Sequence, residues 1–145
     1  MAELIKEKSC GAVVYKLDEK GRLRFLIIKQ KTGHFGFPKG HVEKNETEAE
    51  TAMREVKEET NIDVDINTGF RVVSTYYPAK GVLKDVIFFL ATPKTDNPIA
   101  QPEEVAEVHW CSYFNAKQLL THRQNRNILR NAIVYIKKNR LTKNK

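Results

Sequence analysis

Apolar residues first follow a strand period along this chain, change to a helical period in the middle, and then repeat both. Cys10–Lys16 is a short apolar strand, turned by Asp18-Glu19-Lys20-Gly21 into a second strand at Leu23–Gln30. Lys31-Thr32-Gly33 breaks that strand and opens a loop. From about Thr47 to Thr60 the pattern is helical, with Ala49, Ala52, Met53 and Val56 as the apolar stripe. Thr47 with Glu50 three residues on predicts a capping box, and Asn61 stands where a helix end calls for a left-handed residue. Asp63–Ile66 and Phe70–Tyr77 read as strands, Pro78-Ala79-Lys80-Gly81 as a turn and Lys84–Thr92 as a buried strand. Pro93–Glu103 is a loop and Ala106–Ser112 a further strand. Asn115 is expected to cap a short helix holding Leu119 and Leu120. Thr121 with Gln124 predicts a second capping box, opening a last helix whose core stripe is Ile128, Leu129, Ala132, Ile133 and Ile136. Strands and helices in this order suit a three-layer α/β sandwich.

Length and composition add bounds. At 145 residues and 16.7 kDa, residues 1–145 are read as one domain with a sizeable core. No apolar run approaches the roughly 18 residues of a membrane span, and MAELIKEKSCG lacks the apolar stretch of a signal peptide. Cys10 and Cys111 lack zinc-ligand spacing, so two buried, reduced thiols in a cytoplasmic protein are expected. The net charge of +7 suits an anionic substrate. Much of the excess lies at Lys137, Lys138, Arg140, Lys143 and Lys145, read as a solvated tail, with nucleic-acid contact as the lesser alternative. Oligomeric state is not legible.

The chemistry concentrates in the middle helix. Glu55, Glu58 and Glu59 stand at i, i+3 and i+4, surface neighbours on one helix face. Like charges there repel, and a hard divalent cation reverses that penalty. The plain alternative is a solvated acidic face. Arg54 precedes Glu58 by four residues, so its guanidinium can orient that carboxylate. The segment 40–62 resembles the Nudix box, G-x5-E-x7-R-E-U-x-E-E-x-G-U with U aliphatic. Gly40, Glu46, Arg54, Glu55, Val56, Glu58, Glu59 and Ile62 stand at matching positions, and Asn61 replaces the last glycine. The resemblance implies an α/β/α sandwich with a mixed sheet, and hydrolysis of a nucleoside diphosphate linked to another moiety. It also implies Mg²⁺ or Mn²⁺ held by the Gly40 carbonyl, Glu55, Glu58 and Glu59, with Glu55 or Glu58 beside the attacking water.

Residues outside the box bear on the substrate. His34-Phe35-Gly36-Phe37-Pro38-Lys39-Gly40-His41-Val42-Glu43 contains F-x-F-P-K-G-H-V-E, similar to the W-x-x-P-K-G-H-V-E of the asymmetrical diadenosine tetraphosphate hydrolases. Lys84-Asp85-Val86-Ile87-Phe88-Phe89 resembles their K-x-V-x-Y-[FW] strand, with Phe88 in place of tyrosine. By that likeness Lys39 and Lys84 meet phosphate and Phe88 stacks on adenine, although Phe88 and Phe89 are each equally readable as core. Glu104, or failing it Glu103, is the expected extra ligand or base, on the E-x-x-x-V-x-W pattern ending at Trp110. His34 and His41 are candidates for phosphate, with a loop-stabilising bond favoured for His41. His109 is assigned to a strand and His122 to a helix start. The implied reaction is metal-assisted attack of water at phosphorus, giving ATP and AMP from diadenosine tetraphosphate. Alternatives are removal of pyrophosphate from RNA 5′ ends, cleavage of nucleoside triphosphates or nucleotide sugars, and a nucleotide-sensing module without catalysis.

Overall fold

The computed structural model describes residues 3–142; Lys143 and Lys145 of the basic tail lie outside them. The elements are β1 (Ile5–Leu17), β2 (Leu23–Gln30), β3 (Phe35–Gly36), β4 (Lys39–His41), α1 (Glu48–Thr60), β5 (Val64–Ala79), β6 (Val82–Pro93), β7 (Val105–Cys111), α2 (Tyr113–Leu119) and α3 (Arg123–Lys138). The long β1 organises the sheet. Its residues Ile5–Val14 run parallel to β6, from Ile5↔Val82 to Val14↔Ala91, while Tyr15–Leu17 pair antiparallel with β2. β5 extends the sheet antiparallel beyond β6, β7 and β3 pair antiparallel with β2, and β4 pairs with Ser9–Gly11 of β1. The sheet is therefore mixed, as expected.

Both faces of β1 and β6 are covered, which is why their central segments read as continuous apolar runs rather than alternating ones. Val13, Tyr15, Val86, Phe88 and Leu90 point into the larger core with Ile128, Leu129, Ala132 and Ile136 of α3. Cys10, Ala12, Val14, Ile87, Phe89 and Ala91 point the other way, where Ala52 and Val56 of α1 pack. The two phenylalanines of β6 are thus both core, on opposite faces. Helices on both sides of a mixed sheet make the α/β/α sandwich. Cys10 and Cys111 are free and buried. Among the described residues, no helix is long and apolar enough to cross a membrane.

Helix α1 has the ends its sequence specifies. Thr47 accepts from the Glu50 N–H at 3.1 Å while Glu50 accepts from the Thr47 N–H at 2.8 Å, completing the capping box. Asn61 closes the helix in the left-handed region at φ 64°, its N–H donating to the Lys57 carbonyl. Several boundaries differ from the sequence reading. β1 begins earlier, because its first residues gain a parallel partner in β6. The two strands expected at 63–77 are one, β5, with an irregularity between Asn67 and Arg71. β3 and β4 fall within the expected loop and are too short to show a period. Met53 is exposed, and Thr51 takes its place on the buried face of α1. Ser112, not Asn115, caps α2, accepting from the Asn115 N–H at 3.1 Å. Thr121 does not cap α3, since its hydroxyl accepts instead from the Phe35 N–H at 2.8 Å.

Candidate active site

Arg54 joins the helix to the loop before it. Its Nε and Nη2 donate to the two oxygens of Glu46 at 2.7 and 3.0 Å. Nη1 donates to Glu55 at 2.7 Å and to Glu58 at 3.2 Å, and Nη2 also reaches the His41 carbonyl at 3.0 Å. Glu46 accepts further from the Thr51 hydroxyl at 2.8 Å and the Glu43 N–H at 3.0 Å. Charge-assisted bonds of this kind hold geometry well, and the Arg54 guanidinium brings the Glu46 carboxyl down to about 2. Sequence spacing pointed to the Arg54–Glu58 pair; the tighter clamp is on Glu46, across the loop turn. The His41 carbonyl serves the loop, while the His41 side chain is exposed.

The second half of the cluster lies deeper. Glu59 is buried and accepts from the Lys39 N–H at 2.9 Å. Gly40 follows directly, and a Cβ there would collide with the Glu55 carboxyl. Gly11 allows the same strand to approach β1, since a Cβ on it would strike the Pro38 carbonyl and Lys39. Burial pushes the Glu59 carboxyl up to about 8, with Glu55 and Glu104 adding and the Lys39 N–H opposing. Burial likewise raises Glu55 above its ordinary value, against Arg54. Of the two acids in the late loop, it is Glu104 whose charge bears on both Glu55 and Glu59.

Among the described residues no three His, Cys, Asp or Glu converge as metal ligands; the carboxylates turn to Arg54 and the Lys39 N–H. The donor set still fits a hard divalent cation. Carboxylate oxygens collect where burial disfavours their charge, and the missing side chain of Gly40 leaves room beside Glu55. Glu58 stands at the exposed rim, and Glu55 and Glu59 stand further in.

A cavity of about 350 Å³ opens on the other side of Lys39, within the range of small-molecule sites. His34, Phe37, Lys39, Tyr76 and Phe88 line it, with His122 and Asn125 from the start of α3. Burial and the neighbouring Lys84 charge lower the Lys39 ammonium. Lys84 stands beside Tyr76 in the β5–β6 register, one residue pair from the cavity wall. Phe88 forms the floor, 1% exposed and edge-on to Phe37 with ring centroids 5.4 Å apart. It offers no open ring face, so the stacking role suggested by the sequence does not match its position. His34 and His122 meet edge to face at 5.2 Å, which brings a histidine read as a mere helix start into the site. Gln30, Tyr76, His122 and Asn125 were missed. They come from separate elements, and no local spacing marks them.

The comparisons agree with this geometry. The NUDIX domain family matches residues 8–132. The asymmetrical bis(5′-nucleosyl)-tetraphosphatase of Caenorhabditis elegans is 30% identical over 127 residues, covering 85% of this chain and 91% of that protein. The mouse protein of the same name (Mus musculus) is 32% identical over 123 residues, covering 77% and 83%. The crystal structure of a C. elegans Ap4A hydrolase binary complex aligns with a TM-score of 0.82 at 28% identity, covering 91% of this chain and 98% of that one. The match spans β1 to α3 and includes every carboxylate of the cluster, so the chain belongs to the Nudix family and is a hydrolase of phosphoric anhydrides.

Proposed function

We propose that the chain cleaves dinucleoside polyphosphates, converting diadenosine tetraphosphate to ATP and AMP, with residues 1–145 acting as one catalytic domain. The observation that carries the reading is the double position of Lys39. Lys39 lines the cavity while its backbone N–H bonds Glu59 of the carboxylate cluster. A nucleoside in the cavity therefore has its phosphates led past Lys39 toward Glu55, Glu58 and Glu59. The relatives named above support the same substrate class.

Lys39 and Lys84 neutralise the polyphosphate, and the low polarity around the half-buried Lys39 strengthens that attraction. His34 stands at the cavity mouth, where its ring can donate to a phosphate oxygen. The Gly40 carbonyl, Glu55, Glu58 and Glu59 would hold Mg²⁺ or Mn²⁺, which would supply positive charge to the polyphosphate and acidify a water. Glu58 or Glu55 accepts the proton as water attacks phosphorus and the anhydride P–O bond breaks, with ATP and AMP leaving. Arg54 keeps both glutamates aimed, and Glu104 completes the acidic wall.

Product analysis after incubation with Mg²⁺ and diadenosine tetraphosphate tests the proposal. ATP plus AMP, lost in Glu58→Gln, is expected. ADP as the sole product, or cleavage confined to nucleoside triphosphates or nucleotide sugars, would sink it and leave the family assignment intact.

A further inference from the structure

The last turn of α1 leaves backbone carbonyls without partners inside the helix, and the loop between β6 and β7 brings donors to them. The Ile99 N–H donates to the Thr60 carbonyl at 2.9 Å, and the Gln101 N–H to the Glu59 carbonyl at 3.3 Å. The Asn61 side-chain amide donates to the Asn97 carbonyl at 3.1 Å, and the Asp63 N–H to the Thr95 hydroxyl at 3.0 Å. Residues 94–99 of the loop are exposed, Ile99 included, so these bonds rather than apolar burial fix its course. The loop is thus laid along the end of the helix that carries Glu55, Glu58 and Glu59.

Gln101 stands where the loop turns from helix to sheet, half-buried, whereas Pro102, Glu103 and Glu104 are exposed. Its backbone carbonyl accepts from the Val105 N–H at 2.8 Å and from the Glu104 N–H at 3.3 Å. Its side-chain Oε1 accepts from the same Glu104 N–H at 2.8 Å. The Glu104 carbonyl accepts in turn from the Lys31 N–H at 2.9 Å, just past the end of β2. Glu104 is therefore the acid of this turn that is tied at both its N–H and its carbonyl. Gln101 alone bonds the backbones of two acids, Glu59 and Glu104, that lie far apart along the chain.

We propose that Gln101 is a positioning residue for the reaction, which sets the reach of the Glu104 carboxylate toward Glu55 and Glu59 by bonding Glu59 and Glu104 at once. The charge of Glu104 bears on both of those carboxyls, so it stands within range of a cation that they hold. The role rests on the proposed function only in counting Glu104 within the acidic wall. With the Gln101 amide removed, the Glu104 N–H keeps only its longer bond to the Gln101 carbonyl. In an exposed turn water competes for that bond, and a carboxylate displaced by a fraction of its length no longer meets its target.

Mn²⁺ binding to the full chain, followed by the electron paramagnetic resonance of the free ion without substrate, tests the role across a double-mutant cycle. Gln101→Met keeps the length of the side chain and removes its acceptor. It is expected to weaken Mn²⁺ binding about ten-fold and to lower kcat by a similar factor, with KM for diadenosine tetraphosphate little changed. Combined with Glu104→Gln it should add no further loss, because the carboxylate through which Gln101 acts is gone. Gln101→Glu retains an acceptor and should bind Mn²⁺ at least as tightly as wild type. Equal losses in the two backgrounds, unchanged Mn²⁺ binding in Gln101→Met, or a Gln101→Glu protein as weak as Gln101→Met would each overturn the role. A wild-type protein that leaves diadenosine tetraphosphate intact, yet shows the same coupling in Mn²⁺ binding, would remove the proposed substrate and keep Gln101 in place.

Discussion

Arg54 divides one guanidinium among Glu46, Glu55, Glu58 and the His41 carbonyl. A lysine there keeps the charge but loses the planar fork that grips both oxygens of Glu46. Arg54→Lys is therefore expected to lower kcat by roughly 10- to 100-fold. Steady-state kinetics beside a thermal melt checks this, and a melt that collapses instead would reassign Arg54 to folding alone. Gly40→Ala tests the space rather than the charge. The added methyl must displace the Glu55 carboxyl, so Mg²⁺-dependent turnover should be lost while far-UV circular dichroism stays native. Chelation by EDTA should stop the wild-type reaction, and added Mg²⁺ or Mn²⁺ should restore it.

At the scale of elements, α1 is held by its caps and by one anchoring carboxylate. Asn61→Ala places a Cβ-bearing residue with no local polar compensation at φ 64° and should cost about 1 kcal/mol, with Asn61→Gly close to neutral. Glu48 opens the helix and ties it to the sheet through Arg71 at 2.9 and 3.0 Å and Lys8 at 2.8 Å. The Arg71 and Lys8 bonds lower its carboxyl from 4.5 to about 2. The unfolded chain binds this proton more readily than the folded one, so the contribution is complete above about pH 4.5 and disappears as pH falls toward 2. Glu48→Gln should lower stability at pH 7 by on the order of 1 kcal/mol. Denaturant melts of the two proteins should converge across that acid window; a gap that persists at pH 2 would place the effect elsewhere.

For the molecule as a whole, core and site meet along the β5–β6 pair, where Phe88 stands opposite Val72 and Tyr76 opposite Lys84. Phe88 stands in the core as cavity floor, whereas Tyr76, on the neighbouring strand, keeps part of its ring open to the cavity. Phe88→Ala should destabilise the fold by about 3–5 kcal/mol. Tyr76→Ala should leave the melting temperature close to wild type and raise KM roughly ten-fold, as the loss of a base-stacking ring does. The opposite pattern, a stable Phe88→Ala with raised KM, would return the stacking role to Phe88.

How much was legible follows from how far apart the partners lie along the chain. Glu55, Glu58, Glu59 and Arg54 share one helix, and Thr47, Glu50 and Asn61 bound it, so helical period and capping chemistry alone located the acidic cluster and its ends. The continuous apolar runs of β1 and β6 likewise marked them as strands, that of β6 as a buried one. Thr121 and Asn115 were misassigned because capping patterns recur by chance: the Thr121 hydroxyl is taken by the Phe35 N–H, and Ser112 caps α2 in place of Asn115. Tertiary structure alone decided that Gln30, Tyr76, His122 and Asn125 share one cavity, and that Phe88 is its floor. That cavity depends on the parallel pairing of β1 with β6, which brings Gly11 beside Phe88, and on the docking of α3 against the same face. Such long-range register is set by burial of both sheet faces together, a property of the assembled layers that no local stretch of sequence contains.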